Sequence, residues 1–375
     1  MITVVPVTSN VERVYPFQVL LPAGQSGLDK DSKAQAEQVR SISVERLAHR
    51  IGELAPSLVD RRRRRTAPAS STVTEQPLED AATVRDAGVM RIGAVFPHTE
   101  IGSDPGAIRA WAQAVEELGY RHIQAFDHVL GAGVDTRPGW TRYTSDEMFH
   151  EVFVLFGYLA AITESLELAT GVLVLPQRQT ALVAKQAAEV DVLSGGRMRL
   201  GVGVGWNDVE YEALGESFGN RGRRIDEQIE VLRALWAQPT VTYSGRWHHI
   251  DNAGINPLPV RRRIPVWIGG TSEAALRRAG TIGDGWLPQR APDDEARRMV
   301  ERVREHARAA GRATDEIGFE ARLTSAQVPR PGWAEFATGW RELGATHLCV
   351  NTMGSGLTSP DEHVAVLGEV IKALG

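Results

Sequence analysis

Residues 166–207 read LELATGVLVLPQRQTALVAKQAAEVDVLSGGRMRLGVGVGWN and contain one complete strand–helix–strand pattern. The apolar run Leu166–Leu175 predicts a buried strand, and Met198–Val204 predicts a second one. Between them a helix is predicted to begin near Thr180 and to end at Gly195-Gly196. Its apolar positions recur at helical spacing and are Leu182, Val183, Ala187, Val190 and Leu193. A strand, a helix and a strand in this order form the unit of parallel α/β folds.

The same alternation extends from Met90 to the C-terminus. A helix is predicted after Asp104-Pro105, where a cap residue precedes a proline, and others over 147–163 and 223–236. Residues 238–264, which contain three prolines, predict an irregular insert. The other strand candidates are Arg91–Phe96, His122–Phe126, Pro265–Ile268, Gly285–Pro288, Ile317–Leu323 and His347–Val350. Eight strand–helix units favour a (β/α)8 TIM barrel with an insertion region over an open doubly wound sheet.

The part of the chain before Met90 has a different pattern. Ile2–Val7, Phe17–Leu21 and Glu37–Ser43 resemble strands, and apolar residues at helical spacing predict one helix from Val44 to Leu58. So few elements in about 60 residues make a small, incomplete β+α fragment rather than a complete fold.

A change of composition separates this fragment from the barrel. Arg61–Arg65 is a run of five arginines, and TAPASSTVTEQP follows it without apolar periodicity. Such a stretch buries too little apolar surface to become ordered, so residues 61–89 are predicted to be a disordered linker. The predicted domains are therefore 1–60, the linker 61–89 and 90–375. A basic run can also bind RNA or a membrane surface, and this alternative stays open.

Composition restricts the class of protein. The chain has 375 residues, a formal net charge of −5 and one cysteine, Cys349. The acidic balance does not favour nucleic acid as the main partner, and a single cysteine excludes a disulfide framework or a cysteine-cluster metal site. The longest apolar run, near Phe153–Ile162, is too short to span a membrane, and no signal peptide is recognisable. We therefore expect a cytoplasmic enzyme without a membrane segment.

Polar residues at the predicted strand ends are the candidates for chemistry. Asp127 and His128 follow the second strand, and an imidazole beside a carboxylate can act as a general base, bind a cofactor or form a buried structural pair. The fourth strand runs into GVGVGWN, residues 201–207, which ends at Asn207. Its glycines, Gly203 among them, allow a ligand to approach the backbone, although the spacing is not that of a dinucleotide fingerprint.

A third candidate follows the fifth strand. Gly269, Gly270, Thr271 and Ser272 lead directly into a predicted helix, and small or hydroxyl residues at a helix N-terminus can bind phosphate. Simple capping by Thr271 or Ser272 is the alternative. His248-His249 lacks a matching third ligand, so no metal site is predicted.

The run from Met90 to Gly375 resembles the bacterial luciferase-like flavin and deazaflavin oxidoreductases. The matching stretches include residues 169–215, RGRRIDEQIEVLRALW, IPVWIGGTSEAALRRAG and GDGWLP, which occur in the family's order. The resemblance is greatest to members that use coenzyme F420. It implies a TIM barrel whose C-terminal mouth holds the cofactor, a small-molecule substrate, and a homodimer as a common assembly.

The resemblance also implies roles for individual residues. Asp127 and His128 match a pair near the deazaflavin ring, and the histidine is a catalytic acid or base in some members. Thr170, Gly171 and Val172 match a bulge that carries a cis peptide against the ring, which we expect between Gly171 and Val172. Other matches to cofactor contacts or the phosphate loop are Gly203, Asn207, Gly269, Gly270, Thr271 and Ser272. A glutamate that sugar-phosphate dehydrogenases use is Val204 here, which disfavours that substrate.

Two cofactors are compatible with this resemblance. With coenzyme F420 the implied reaction is hydride transfer to or from an organic substrate, and with FMN it is oxygen-dependent monooxygenation. Both cofactors use the same mouth and the same phosphate loop, so the residues do not separate them.

The N-terminal segment resembles the second half of MazF/PemK-type toxins, which have an SH3-like fold. VVPVTSNVERVYPFQVLLP and EQVRSISVERLAHRIGEL carry this resemblance, and Thr8 matches an active-site threonine. The family's first strands and active-site arginine would precede Met1. We therefore interpret residues 1–60 as a toxin remnant without ribonuclease activity. RNA or antitoxin binding by this segment is the alternative function of another class.

Overall fold

The computed structural model describes residues 2–4, 7–9, 18–23, 28–35, 40–42 and 90–375. The chain divides into two compact units, Met1–Val84 and Arg85–Gly375, and each is described by itself. The predicted linker 61–89 and the predicted helix Val44–Leu58 lie outside the described residues. The exact domain boundaries 1–60, 61–89 and 90–375 stay a prediction.

The described part of the first unit consists of short antiparallel strands. Ile2–Val4 pairs with Arg40–Ile42, and Ser32–Gln35 pairs with both Val7–Thr8 and Gln18–Leu21. Strands were expected at three of these places. Ser32–Gln35 was missed because its sequence, SKAQ, has no run of β-branched or aromatic residues.

Eight parallel strands close into a barrel in the second unit, which confirms the predicted TIM barrel. Each strand pairs with the next along the chain, the last pairs with the first, and the register Leu200↔Val266 joins the fourth and fifth. The strands are β1 Arg91–Val95, β2 His122–Ala125, β3 Glu167–Thr170, β4 Met198–Gly203, β5 Val266–Gly269, β6 Gly285–Leu287, β7 Gly318–Thr324 and β8 His347–Asn351.

A helix follows each strand and packs outside the barrel. The eight helices are α1 Pro105–Glu117, α2 Val152–Ile162, α3 Thr180–Leu193, α4 Arg221–Ala237, α5 Glu273–Thr281, α6 Asp294–Ala309, α7 Trp333–Glu342 and α8 Pro360–Leu374. A short helix, Asp208–Ala213, lies between β4 and α4. Among the described residues, no helix is both long enough and apolar enough to cross a bilayer.

Helix α1 illustrates how local sequence determines these elements. The Asp104 side chain accepts a hydrogen bond from the backbone N–H of Gly106 at 2.9 Å, and Pro105 occupies the first helical position. Trp111 and Val115 then lie on one face and are fully buried. Gly119, with φ of 87°, follows the helix in the left-handed region that favours glycine.

Two predicted elements differ from the structure. The single strand predicted over Leu166–Leu175 is interrupted after Thr170 and resumes as Leu173–Val174, so β3 contains a bulge. The insert predicted to be irregular, 238–264, contains an antiparallel hairpin of Val241–Ser244 and His249–Ala253. Its strands are short and largely exposed, so they lack the apolar alternation by which a strand is recognised.

A group of charged side chains fills the lower part of the barrel. Arg199 on β4 contacts the carboxylates of Glu167 and Glu320, and its guanidinium lies 4.4 Å from the ring centroid of Trp267. Gln124 donates to Glu320 at 2.7 Å. Burial acts to raise the pKa of Glu167, but the neighbouring positive charges, Arg199 first and then Arg91, together outweigh it and lower that pKa to about 2. The arginine therefore keeps the buried carboxylate charged.

Removing this arginine should destabilise the barrel strongly. We expect Arg199→Met to lower the free energy of unfolding by about 3–5 kcal/mol, because two buried carboxylates lose their counter-charge. Arg298→Met breaks an exposed pair with Glu295 and should change it by about 1 kcal/mol or less. Urea unfolding followed by tryptophan fluorescence measures both, since all nine tryptophans lie after residue 89. Equal effects of the two substitutions would contradict this account.

Candidate functional site

The residues predicted from strand ends meet at the carboxyl-terminal mouth of the barrel. Loop 126–151, between β2 and α2, supplies most of the aromatic side chains there. The ring of His128 lies 4.8 Å from that of Phe149, 4.9 Å from that of Tyr143 and 5.6 Å from that of Trp206, measured between centroids. His128, Tyr143 and Phe149 line a cavity of about 280 Å³. This volume suits part of a small organic ligand.

Glu210 fixes the orientation of His128. The Nδ1–H of His128 donates to Glu210 Oε1 at 3.2 Å, and the same oxygen accepts the backbone N–H of Val129 at 2.8 Å. Glu210 is buried, which acts to raise its pKa, but these hydrogen bonds outweigh burial and lower it. The carboxylate therefore stays charged, and Nε2 of His128 has no partner among the residues that the structure describes. His128 can exchange a proton at that atom.

Glu210 is the functional residue that the sequence reasoning missed. It lies on the short helix after β4, three residues beyond Asn207, and 82 residues from His128. The sequence does show a carboxylate shortly after the glycine-rich stretch 201–207. Nothing in the local pattern, however, indicates which loop this carboxylate contacts.

Asp127 has a different role from its neighbour. Its carboxylate accepts the backbone N–H of Val174 at 3.0 Å and pairs with Arg178 at 2.5 Å, and it forms no hydrogen bond with His128. Burial raises the pKa of Asp127, and the Arg178 charge opposes this shift. Asp127 therefore holds the segment after the β3 bulge, and direct cofactor contact by its carboxylate stays a prediction.

The β3 bulge brings five of the predicted residues together. The peptide bond between Gly171 and Val172 is cis, as expected. A Cβ atom at Gly203 would lie 2.6 Å from one methyl group of Val172, and a Cβ atom at Gly269 would lie 2.6 Å from the other. Thr170 donates its hydroxyl to the carbonyl of Gly201 at 2.6 Å. Glycine at these two positions is therefore required by the Val172 side chain itself.

The residues after β5 form an exposed corner at the start of α5. Gly270 has a φ of 117°, and Thr271 and Ser272 are exposed. The Ser272 hydroxyl accepts the N–H of Ala275 at 3.3 Å, so this residue does cap the helix. Glu273, in the first turn, is paired with Arg302 at 2.8 Å, which reduces its repulsion of an anion. A phosphate group at this helix N-terminus stays a prediction.

Asn207 also lies at the mouth, but both polar atoms of its side chain have protein partners. Its side-chain oxygen accepts the N–H of Val209 at 3.2 Å, and its nitrogen donates to the carbonyl of Leu130 at 3.2 Å. It therefore joins the end of β4 to loop 126–151. Cofactor contact through this side chain stays a prediction.

The remaining polar candidates have structural partners. His248 donates from Nδ1 to Glu227 at 2.8 Å and accepts at Nε2 from the hydroxyl of Thr180 at 2.6 Å. His122, Glu320 and Cys349 place one ligand atom each within 4.8 Å of one another. Glu320 already binds Arg199 through its second oxygen, so the charge network accounts for this cluster.

Crowding around Val172 gives a direct test of this geometry. Gly269→Ala should lower the free energy of unfolding by about 1–3 kcal/mol, because the new methyl group overlaps Val172. Adding Val172→Ala should restore part of that loss, and Gly157→Ala, where nothing lies within 4 Å of the new Cβ, should cause none. Urea unfolding of the single and double variants measures the coupling. Strictly additive losses would show that the two residues do not interact.

Comparisons with known protein families agree with this architecture. The family model of luciferase-like monooxygenases matches residues 86–329. The model of PemK-like, MazF-like toxins of type II toxin–antitoxin systems matches residues 1–66. In the structure, Thr8 of this toxin-like segment lies in the strand Val7–Thr8, opposite Lys33.

The names of individual relatives include both F420 and FMNH2. An uncharacterized protein of Mycobacterium tuberculosis is 38% identical over 225 residues, which cover 58% of this chain and 77% of the relative. The F420-dependent hydroxymycolic acid dehydrogenase of M. tuberculosis is 28% identical, covering 67% of this chain and 66% of that protein. An FMNH2-dependent dimethylsulfone monooxygenase of Pseudomonas putida is 29% identical, covering 57% and 56%.

The fold is likewise found in solved structures. An F420-dependent secondary alcohol dehydrogenase in complex with an F420–acetone adduct superposes with a TM-score of 0.61 at 19% identity. The match covers 76% of this chain and 99% of that one. From its barrel and the family match over residues 86–329, the chain belongs to the luciferase-like monooxygenase family.

Proposed function

We propose that residues 90–375 form a coenzyme F420-dependent oxidoreductase that transfers a hydride between the deazaflavin and a small organic substrate. The observation that carries this proposal is the His128–Glu210 pair at the mouth. Hydride transfer to a carbonyl group, or from an alcohol, requires a proton to move at the substrate oxygen. An imidazole held by a carboxylate, with its other nitrogen available beside a cavity, can move that proton.

The mouth fits a flavin-type cofactor in two respects. Aromatic side chains of loop 126–151 line a cavity, and the Gly171–Val172 bulge belongs to the same barrel. The exposed hydroxyl of Thr271 and the first backbone N–H groups of α5 suit a phosphate group. Thr170, Gly171, Val172, Gly203, Gly269, Gly270, Thr271 and Ser272 would line this site. When bound, F420 supplies the carbon atom that accepts or donates the hydride.

The remaining site residues support this arrangement. Glu210 keeps the proton of His128 on Nδ1 and stabilises the charged imidazolium, so that Nε2 faces the substrate. Asp127 and Arg178 hold the segment after the bulge, and Asn207 holds loop 126–151 over the mouth. The loop's aromatic side chains exclude water from the reacting atoms.

An FMN-dependent luciferase-like monooxygenase is the second candidate. The observation that favours it is the P. putida relative, whose name specifies FMNH2. The M. tuberculosis relative named as F420-dependent, together with the His128–Glu210 pair, leads us to prefer F420.

Cofactor titration separates the two candidates. If F420 is the cofactor, as proposed, we expect it to bind at least about tenfold more tightly than FMN. Quenching of cofactor fluorescence measures both dissociation constants. A chain without residues 1–89 should bind F420 equally well, since every proposed contact lies in the barrel. Tight binding of FMN with no binding of F420 would overturn the proposal.

Substitutions at the acid–base pair test the chemistry. With a panel of alcohols and ketones, His128→Gln should reduce the rate with the best substrate by about 10²–10⁴-fold, because proton transfer loses its donor or acceptor. Glu210→Gln should reduce it less, since the imidazole remains. Neither change should alter the dissociation constant of F420 by more than about threefold. Asp146→Asn, at an exposed carboxyl of the same loop, is the control. An unchanged rate in His128→Gln would refute the assigned role.

The toxin-like segment is proposed to have no part in this reaction. RNA or antitoxin binding by residues 1–60 stays an alternative for that segment alone, supported by the family match to residues 1–66. The cytoplasmic location and the homodimer expected from the sequence also stay predictions.

A further inference from the structure

Arg322 is a cation at the barrel mouth for which the proposed chemistry has no use. It lies on β7, two residues after Glu320, so both side chains are on the same face of the strand. Glu320 belongs to the charge network in the lower barrel, and Arg322 is one layer nearer to the carboxyl ends. In the closed order of eight strands, β7 is opposite β3 and its bulge.

Arg322 has fewer protein partners than Arg197 and Arg199, which also lie in the barrel. Its Nη2 donates to the side-chain oxygen of Gln289 at 3.1 Å, and its guanidinium lies 5.1 Å from the ring centroid of Phe126. Within the described ranges, no carboxylate forms an ion pair with it. By contrast, Arg199 contacts two glutamates, and Arg197 donates to five carbonyl and hydroxyl oxygens. The charge of Arg322 is therefore left without a counter-charge.

The Glu320 carboxylate does not neutralise this charge. One of its oxygens accepts from Gln124 and lies beside His122, and the other contacts Arg199. Burial lowers the pKa of Arg322, which is the direction expected when desolvation exceeds the effect of its neighbours. Arg322 is half-buried, and a cation at the mouth with so few protein partners is available to an anionic ligand.

The surroundings of Arg322 indicate what kind of molecule carries this anion. Arg322 and Gln289 line a small cavity of about 10 Å³ together with Gly171 of the bulge and with Glu320, whose two oxygens are already engaged by Gln124 and Arg199. Tyr143, whose pKa the Arg322 charge acts to lower, lines the larger cavity beside His128. The rim of that cavity carries Val129 and Leu130, which are 40% and 41% exposed. The mouth thus offers a cation on β7 and apolar surface on loop 126–151.

We propose that Arg322 is the substrate's anion-binding residue, and that the substrate is an apolar molecule with a carboxylate group. The carboxylate would bind the guanidinium and Gln289, while the apolar part would lie against Val129 and Leu130. This inference rests on the proposed function, which puts the cofactor ring against the β3 bulge and its phosphate at α5. The wall formed by β7 then faces the open side of the ring, where the substrate lies.

Two matched small ligands test the proposal without knowledge of the natural substrate. Hexanoate carries the carboxylate on an apolar chain, and hexanamide is its neutral counterpart. Isothermal titration of the full chain, with and without F420, should show tighter binding of hexanoate than of hexanamide. Arg322→Gln should weaken hexanoate binding by about ten- to a hundredfold and leave hexanamide unchanged, because a charge-assisted contact is lost. Arg322→Lys should retain part of the preference.

The control is Arg142→Gln, which removes an exposed arginine that lies 4.5 Å from the ring centroid of Trp206 in the same mouth. It should bind hexanoate like the original chain. Thermal unfolding of each variant verifies folding, and Arg322→Lys keeps the test decisive if Arg322→Gln does not fold. The proposal would be overturned if the original chain bound hexanoate no more tightly than hexanamide. It would also be overturned if a folded Arg322→Gln variant kept the full preference for hexanoate.

A further arm separates this inference from the proposed function. If Arg322 instead neutralises the cofactor, Arg322→Gln will weaken F420 binding at least tenfold and spare hexanoate, which would also overturn the proposal. If the chain binds no F420 but still shows Arg322-dependent binding of hexanoate, the proposed cofactor is wrong and the anion site stands.

Discussion

The side chain of Val172 occupies the space that a Cβ atom would need at Gly203 and at Gly269, so one residue determines the spacing of three neighbouring strands. The bulge in β3 is where Val172 lies, and its side chain packs against Gly203 of β4 and Gly269 of β5. Asp127 holds the chain after the bulge through Val174 and Arg178. The mouth of the barrel depends on this group, because the loops after β2, β4 and β5 all begin beside it.

Charge is distributed unevenly along the barrel interior. In the lower part, Arg199 pairs with both Glu167 and Glu320. One layer higher, Arg322 and Nε2 of His128 have few or none among the described residues. Side chains that are paired stabilise the barrel, whereas those left unpaired near the mouth are available for a ligand.

Much of the barrel was predictable because its signals are local. Apolar runs of four to ten residues marked all eight barrel strands, and Asp104-Pro105 marked the start of α1. The cis bond between Gly171 and Val172 was also expected, from family resemblance alone. The hairpin within 238–264 was missed because its strands are short and exposed, and Glu210 was missed because its partner is 82 residues away.

The sequence by itself therefore determined the number and order of the eight barrel strands, and which residues end each of them, since hydrophobic periodicity and capping act within a few residues. Only the tertiary structure decided which of those residues contact one another. Asp127 and His128 are adjacent in the chain, yet one binds Arg178 and the other binds Glu210. Side chains of adjacent residues in extended backbone point in different directions, so their partners depend on how distant strands come together in the barrel.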